Sequence, residues 1–130
     1  MKRNLLLLAL LAALGLALVG NVSAADPRTL NGEYFWDQGN SRGDIEAIFT
    51  NTGEGTWDVA FHFKFRGEKH VYEGTAEGSL ELGDLKGEVK NENKRRTFRF
   101  EGTFANGNFE GTHAELKDGR EIRTGTLNMS

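Results

Sequence analysis

Residues Thr56 to Arg66 constrain this chain more than any other stretch. Trp57, Val59, Phe61, Phe63 and Phe65 alternate with Thr56, Asp58, Ala60, His62, Lys64 and Arg66. Successive side chains of an extended strand point to opposite faces. One face of this strand is therefore bulky and buried, the other wet. A helix would scatter the same aromatics around its circumference. Period-two alternation recurs through most of the chain up to its C-terminus, with a single proline at Pro27 and no helical periodicity, so an all-β domain is expected.

The N-terminal segment is of another kind. Lys2 and Arg3 precede an apolar run from Leu5 to Val19, and small residues at Val22-Ser23-Ala24 and Ser23-Ala24-Ala25 offer cleavage points. That run is short for a spanning helix and has the flanks of a signal peptide. Residues 1–25 are accordingly read as an export signal and 26–130 as one domain, periplasmic or extracellular after cleavage. Without Lys2 and Arg3 the chain carries 14 basic against 19 acidic residues, a charge of −5. That balance argues against a nucleic-acid partner. No cysteine is present, so an exported domain of this size depends on packing and ladder closure.

Turn residues set the expected pairing. A Gly67-Glu68 turn places Phe65 beside His70, Phe63 beside Tyr72 and Trp57 beside Gly78. A Gly83-Asp84 turn matches Leu82 with Leu85, Leu80 with Gly87 and Glu77 with Lys90. Asn106-Gly107, the strongest short hairpin signal here, matches Phe104 with Phe109 and Gly102 with Gly111. For the last hairpin a three-residue loop, Lys117-Asp118-Gly119, keeps Gly111 and Gly125 on one face. With strands near Leu30–Trp36 and Gly43–Thr50, eight strands run in chain order, the number that closes into an up-and-down antiparallel barrel.

Two resemblances accompany this reading. Leu30-Asn31-Gly32-Glu33-Tyr34 ahead of an eight-strand meander resembles the calycin superfamily, whose streptavidin-like and lipocalin-like barrels open on Gly-x-Trp; Tyr34 stands at the Trp position here. That resemblance implies a small-molecule-binding barrel but not biotin binding. Phe100-Glu101-Gly102-Thr103-Phe104-Ala105-Asn106-Gly107, with Thr124-Gly125-Thr126-Leu127, resembles MORN repeats, which imply an open single-layer array of hairpins instead.

The inner face divides into layers. Phe49, Trp57, Leu80, Leu82, Leu85, Phe104, Phe109 and Leu127 form an apolar plug at one end. Gly74, Gly87, Gly102, Gly111 and Gly125 form the middle. The far end gathers Trp36, His70, Tyr72, Asn91, Arg96, His113, Glu115, Glu121 and Arg123 above a floor of Phe61, Phe63, Phe98 and Phe100. Apolar walls with a few converging polar groups are the usual anatomy of a ligand site. The expected ligand-contacting residues are Trp36, Phe63, His70, Tyr72, Arg96, Phe98, Phe100, His113, Glu115 and Arg123. The two guanidinium groups suit an anionic end on a small, partly apolar ligand, and the Asp37–Arg42 loop would serve as a lid.

Other chemistries have less support. His62 points outward, which leaves His70, His113 and Glu115 as a sparse metal set. Ser41 lies in a loop and Ser79 faces outward, so no nucleophile is in place. His113 and Glu115 share a face, which permits acid–base work without indicating it. No cofactor is implied and no catalytic residue is assigned. A filled interior would make the domain a structural or interaction module, and an enzyme using the polar rim ranks third. The charged outer face, with Lys64, Glu73, Lys86, Glu88, Arg99 and Glu110, is the reverse of a membrane-inserted barrel.

Overall fold

A computed structural model describes residues 26–130; the export segment read over residues 1–25 lies outside the described residues. Eight strands run in order: β1 (Arg28–Trp36), β2 (Ser41–Gly53), β3 (Thr56–Phe65), β4 (Glu68–Gly78), β5 (Gly83–Asn91), β6 (Arg96–Ala105), β7 (Asn108–Lys117) and β8 (Arg120–Met129). Each pairs antiparallel with its neighbour, and β8 returns to β1, so the sheet closes into an up-and-down barrel. Gly32–Trp36 pair with Met129–Gly125 along that seam. The seam rules out an open MORN-like array, which leaves its end strands unpaired.

Three of the four expected hairpin registers differ from those observed. The first difference is at the β3–β4 turn, whose two central residues are Arg66 and Gly67 at φ 54° and 80°. A turn with both central φ values positive matches the twist of the flanking strands. It moves the pairing by two positions, so Phe65 lies opposite Glu68, Phe63 opposite His70 and Phe61 opposite Tyr72. A two-position shift preserves the faces, so the inward row survives.

Between β4 and β5 the connection is longer than a two-residue turn at Gly83-Asp84. Ser79 Oγ accepts the backbone amides of Glu81 and Leu82 at 3.0 and 3.1 Å. Leu80 tucks inward at 2% exposure while Leu82 stands out at 74%, so Leu82 is not part of the plug. The resulting register sets Gly78 against Leu85 and Glu77 against Lys86. Glu77 and Lys86 form an ion pair at 3.5 Å. Glu73, not Glu77, lies opposite Lys90.

The Asn106-Gly107 turn and its pairs, Phe104 with Phe109 and Gly102 with Gly111, are as expected. The last hairpin instead has a two-residue turn at Asp118-Gly119, with Lys117 opposite Arg120. Parity is restored further along by a bulge at Thr124, where Ala114 pairs with Arg123 and His113 with Gly125. The bulge does what the three-residue loop was expected to do, with a different result for β8. Beyond it Gly125, Leu127 and Met129 face in; before it Glu121 and Arg123 face out, and Glu121 lies 3.8 Å from Arg99 on the outer wall.

The core is the plug end. Phe49, Phe104, Phe109, Leu80, Leu85 and Met129 are almost fully buried. The glycine layer is occupied rather than hollow. A Cβ on Gly87 would lie 2.7 Å from the Phe100 ring, and one on Gly102 or Gly111 would lie 2.7 Å from Phe109. These glycines exist so that phenyl rings can lie flat against the opposing backbone.

Candidate ligand cavity

A cavity of about 100 Å³ lies inside the barrel, above the glycine layer and toward the end formed by the 37–40, 66–67, 92–95 and 118–119 turns. Aromatic rings supply most of its wall: Tyr34 and Trp36 from β1, Phe61, Phe63 and Phe65 from β3, Tyr72 from β4, and Phe98 and Phe100 from β6. They interlock. Tyr34 meets Phe63 edge-on at 5.3 Å, Phe61 meets Phe100 at 5.0 Å, and Tyr72 meets Phe98 at 5.5 Å. Such edge contacts add about 0.5–1.5 kcal/mol each beyond area burial. The Tyr34 hydroxyl is held by the Lys64 carbonyl at 2.7 Å.

Of the ten expected ligand-contacting residues, Trp36, Phe63, His70, Tyr72, Arg96, Phe98, Phe100 and His113 line this cavity. Glu115 does not line it but holds Arg96 through two hydrogen bonds, Nε to Oε2 at 2.9 Å and Nη2 to Oε1 at 3.0 Å. Arg123 is elsewhere. The bulge turns it outward, where it donates to Asp37 at 3.1 Å from an exposed position. Tyr34, Ile45, Phe65, Val89 and Leu127 join the wall without having been expected there, Leu127 having been assigned to the plug. Their inward parity was the available signal.

Arg96 is a paired cation with two of its five N–H donors on Glu115. Besides Glu115, its guanidinium lies 5.6 Å from the Trp36 ring centre and 5.1 Å from that of Phe98. The Glu115 hydrogen bonds raise the Arg96 pKa, and those same bonds hold the Glu115 carboxyl below the usual carboxylate value of 4.5. Burial pushes the Tyr72 hydroxyl up from 10.0.

His113 serves the seam. Its ring stacks on Trp36 at 5.6 Å, and Nε2 lies 2.9 Å from the Phe35 carbonyl. A carbonyl only accepts, so Nε2 carries the proton; Nδ1 lies 2.6 Å from the Thr124 hydroxyl, whose one proton is shared with the His113 carbonyl at 3.1 Å. With both nitrogens engaged and Glu115 bound to Arg96, His113 and Glu115 do not pair. Burial lowers the His113 pKa below 6.5, opposed by the Phe35 carbonyl and Asp37.

The sign of the pH effect is set by these two groups. Below 6.5 the unfolded chain gains a proton at His113 that the folded chain resists, so stability is present above 6.5 and falls as pH drops toward the lowered folded value. Glu115 adds a second loss below 4.5. Melting temperature against pH is expected to fall in two stages, and a His113→Gln variant is expected to lose the upper stage alone.

His70 is the wall residue whose polar atom is both buried and unpartnered. Its ring stacks on Phe63 at 5.4 Å, and its Nε2 is buried without any hydrogen-bond partner. Neither a protein-family model nor a curated protein matches this chain.

Proposed function

We propose that the chain is an exported, calycin-like barrel that holds one small, mainly apolar, neutral molecule in its aromatic cavity. The observation that carries the reading is the buried His70 Nε2 without a partner. An unsatisfied buried polar atom costs about 1–3 kcal/mol. A ligand hydroxyl satisfies it in either tautomer, since a hydroxyl both donates and accepts. The reading requires the imidazole to turn on its Phe63 stack so that Nε2 meets the cavity.

Size and charge narrow the class. The cavity, at about 100 Å³, is somewhat smaller than the roughly 150 Å³ that accepts benzene in an engineered apolar core. A single ring or a short chain fits with a small shift of the wall. Arg96 is already bound to Glu115, and Arg123 is outside the cavity bound to Asp37. Glu115 offsets the Arg96 charge and Arg123 stands outside, so a neutral hydrogen-bonding group suits the cavity better than the expected anionic end.

Phenol and toluene separate these terms, being nearly equal in shape. Phenol is expected to raise the melting temperature more than toluene does at equal concentration. A His70→Phe variant is expected to melt several degrees higher when empty, because the unsatisfied nitrogen is gone, and to lose the phenol preference. Equal or absent shifts in the parent protein would refute the reading. The filled glycine layer favours a second reading, a structural or interaction module, and that reading predicts no response to either probe with the His70→Phe stabilisation unchanged.

A further inference from the structure

The charges of this acidic chain are segregated along the barrel axis. Alternate turns of an up-and-down barrel share one end, so the cavity opens among the 37–40, 66–67, 92–95 and 118–119 turns. Among the described residues, six cations at that end have no carboxylate within ion-pair distance: Lys64, Arg66, Lys69, Arg95, Lys117 and Arg120. At the other end Glu54, Glu81 and Asp84 lie in or beside the turns, also without an ion-pair partner; Asp118 among the cations and Arg28 among the acids are the unpaired exceptions.

Two local rules are broken to place those cations. Arg66 and Arg95 hold φ values of 54° and 52°. This is the left-handed region, which Asn and Gly enter far more readily than long side chains. The chain uses the easier residues elsewhere, at Gly39-Asn40, Asn106-Gly107 and Asp118-Gly119. Lys64 also lies directly opposite Lys69, and Lys117 opposite Arg120. Like charges so placed destabilise a ladder. Most directly opposed charges on the rest of the wall are of opposite sign, as in Glu77 with Lys86 and Glu88 with Arg99. The exception, Glu33 opposite Asp44, has Arg42 at 3.8 Å from Glu33. Strained or repelling arrangements of this kind collect where function requires them.

We infer that the cavity end docks on an anionic lipid bilayer. The six cations form a partial ring over three of the four hairpins at that end, β3–β4, β5–β6 and β7–β8, rather than converging on a point, which suits an extended charged surface better than a single anion. At this end stand partly exposed Trp36 and Phe65, 6.2 Å apart, and Ile122, 49% exposed opposite Glu115. Tryptophan and apolar tips of this kind sit well at the headgroup level. The Arg66 guanidinium lies 5.2 Å over the Phe65 ring, joining the charged ring to the cavity wall. An apolar ligand stored in the lipid would then enter without crossing water. The docking itself needs no ligand and holds whether or not the cavity is used.

The test uses ligand-free protein of residues 26–130, which contain every strand and the whole core. It is sedimented with phosphatidylcholine vesicles, with and without phosphatidylglycerol. Binding is expected only with the anionic lipid, and is expected to vanish near an ionic strength of about 1 M, where the screening length is roughly 3 Å. The double variant Arg66→Asn, Arg95→Asn is expected to fold at least as well and to bind about thirtyfold more weakly. The two tryptophans report orientation. Brominated lipid is expected to quench Trp36 in a Trp57→Phe variant and to leave Trp57 unquenched in a Trp36→Phe variant. Equal binding to neutral vesicles, or equal quenching of both tryptophans, would overturn the inference. So would binding to soluble polyglutamate or single-stranded DNA without binding to vesicles, which would assign the ring to a soluble acidic partner.

Discussion

Replacing Gly125 with alanine is expected to destabilise the barrel by at least about 3 kcal/mol, a large share of the roughly 5–15 kcal/mol that holds a domain together. A Cβ at this position lies 1.8 Å from the Phe35 carbonyl oxygen and 2.7 Å from His113 Nε2. Both partners belong to the closing seam, where β1 and β8 share five directly opposed pairs. Neither can retreat: the carbonyl is backbone, and the imidazole is pinned between Phe35 and Thr124. Backbone atoms must therefore move apart, and the hydrogen bonds of Asp37 to Thr124 and Asn31 to Ser130 go with them. Urea unfolding measures the loss. A change below about 1 kcal/mol would mean that the seam is more pliable than its packing indicates.

The second large effect is at the plug. Phe109 is fully buried, meets Phe104 at 5.5 Å and Phe100 at 6.5 Å, and covers Gly102 and Gly111. Phe109→Ala is expected to cost about 3–5 kcal/mol, the usual range for a phenyl ring whose space cannot collapse. The backbone beneath it is held by ladders on both sides, which limits relaxation. Phe109→Leu is expected to recover about half of that loss. If the alanine variant unfolds at nearly the parent urea concentration, the ring is not what fills the glycine layer.

The strands and their faces were legible in the sequence because alternation needs no partner to be read. Registers were less so, and the reasons differ by turn. Asn106-Gly107 was read correctly since both residues favour positive φ. Arg66-Gly67 was not, because arginine is a poor occupant of that conformation and Gly67-Glu68 looks better chemically. The bulge at Thr124 has no compositional mark at all. Its only trace is the parity of Gly125, which also admits the longer loop that was expected. That one ambiguity decided Arg123, placed at the cavity by one device and on the outer wall by the other.

The cavity itself was legible in part. Inward parity at one end located nine of its wall residues, Phe61 of the floor included, but parity carries no information on volume. Whether the phenylalanines or a ligand occupy the glycine layer depends on ring positions, and the rings of Phe100 and Phe109 take most of it. The lone nitrogen of His70 was equally invisible, since a missing partner is a property of three dimensions. The cation ring needed only the knowledge of which turns share an end; the net charge of the chain conceals it.

The most direct test is a nuclear magnetic resonance titration of the ¹⁵N-labelled imidazoles with phenol. The proposed function predicts a saturable shift at His70 Nε2, accompanied by the methyl groups of Ile45, Val89 and Leu127 on the cavity wall, with His62 on the outer face unmoved. No shift at His70 up to the solubility of the probe, or shifts at His62 of equal size, would contradict it.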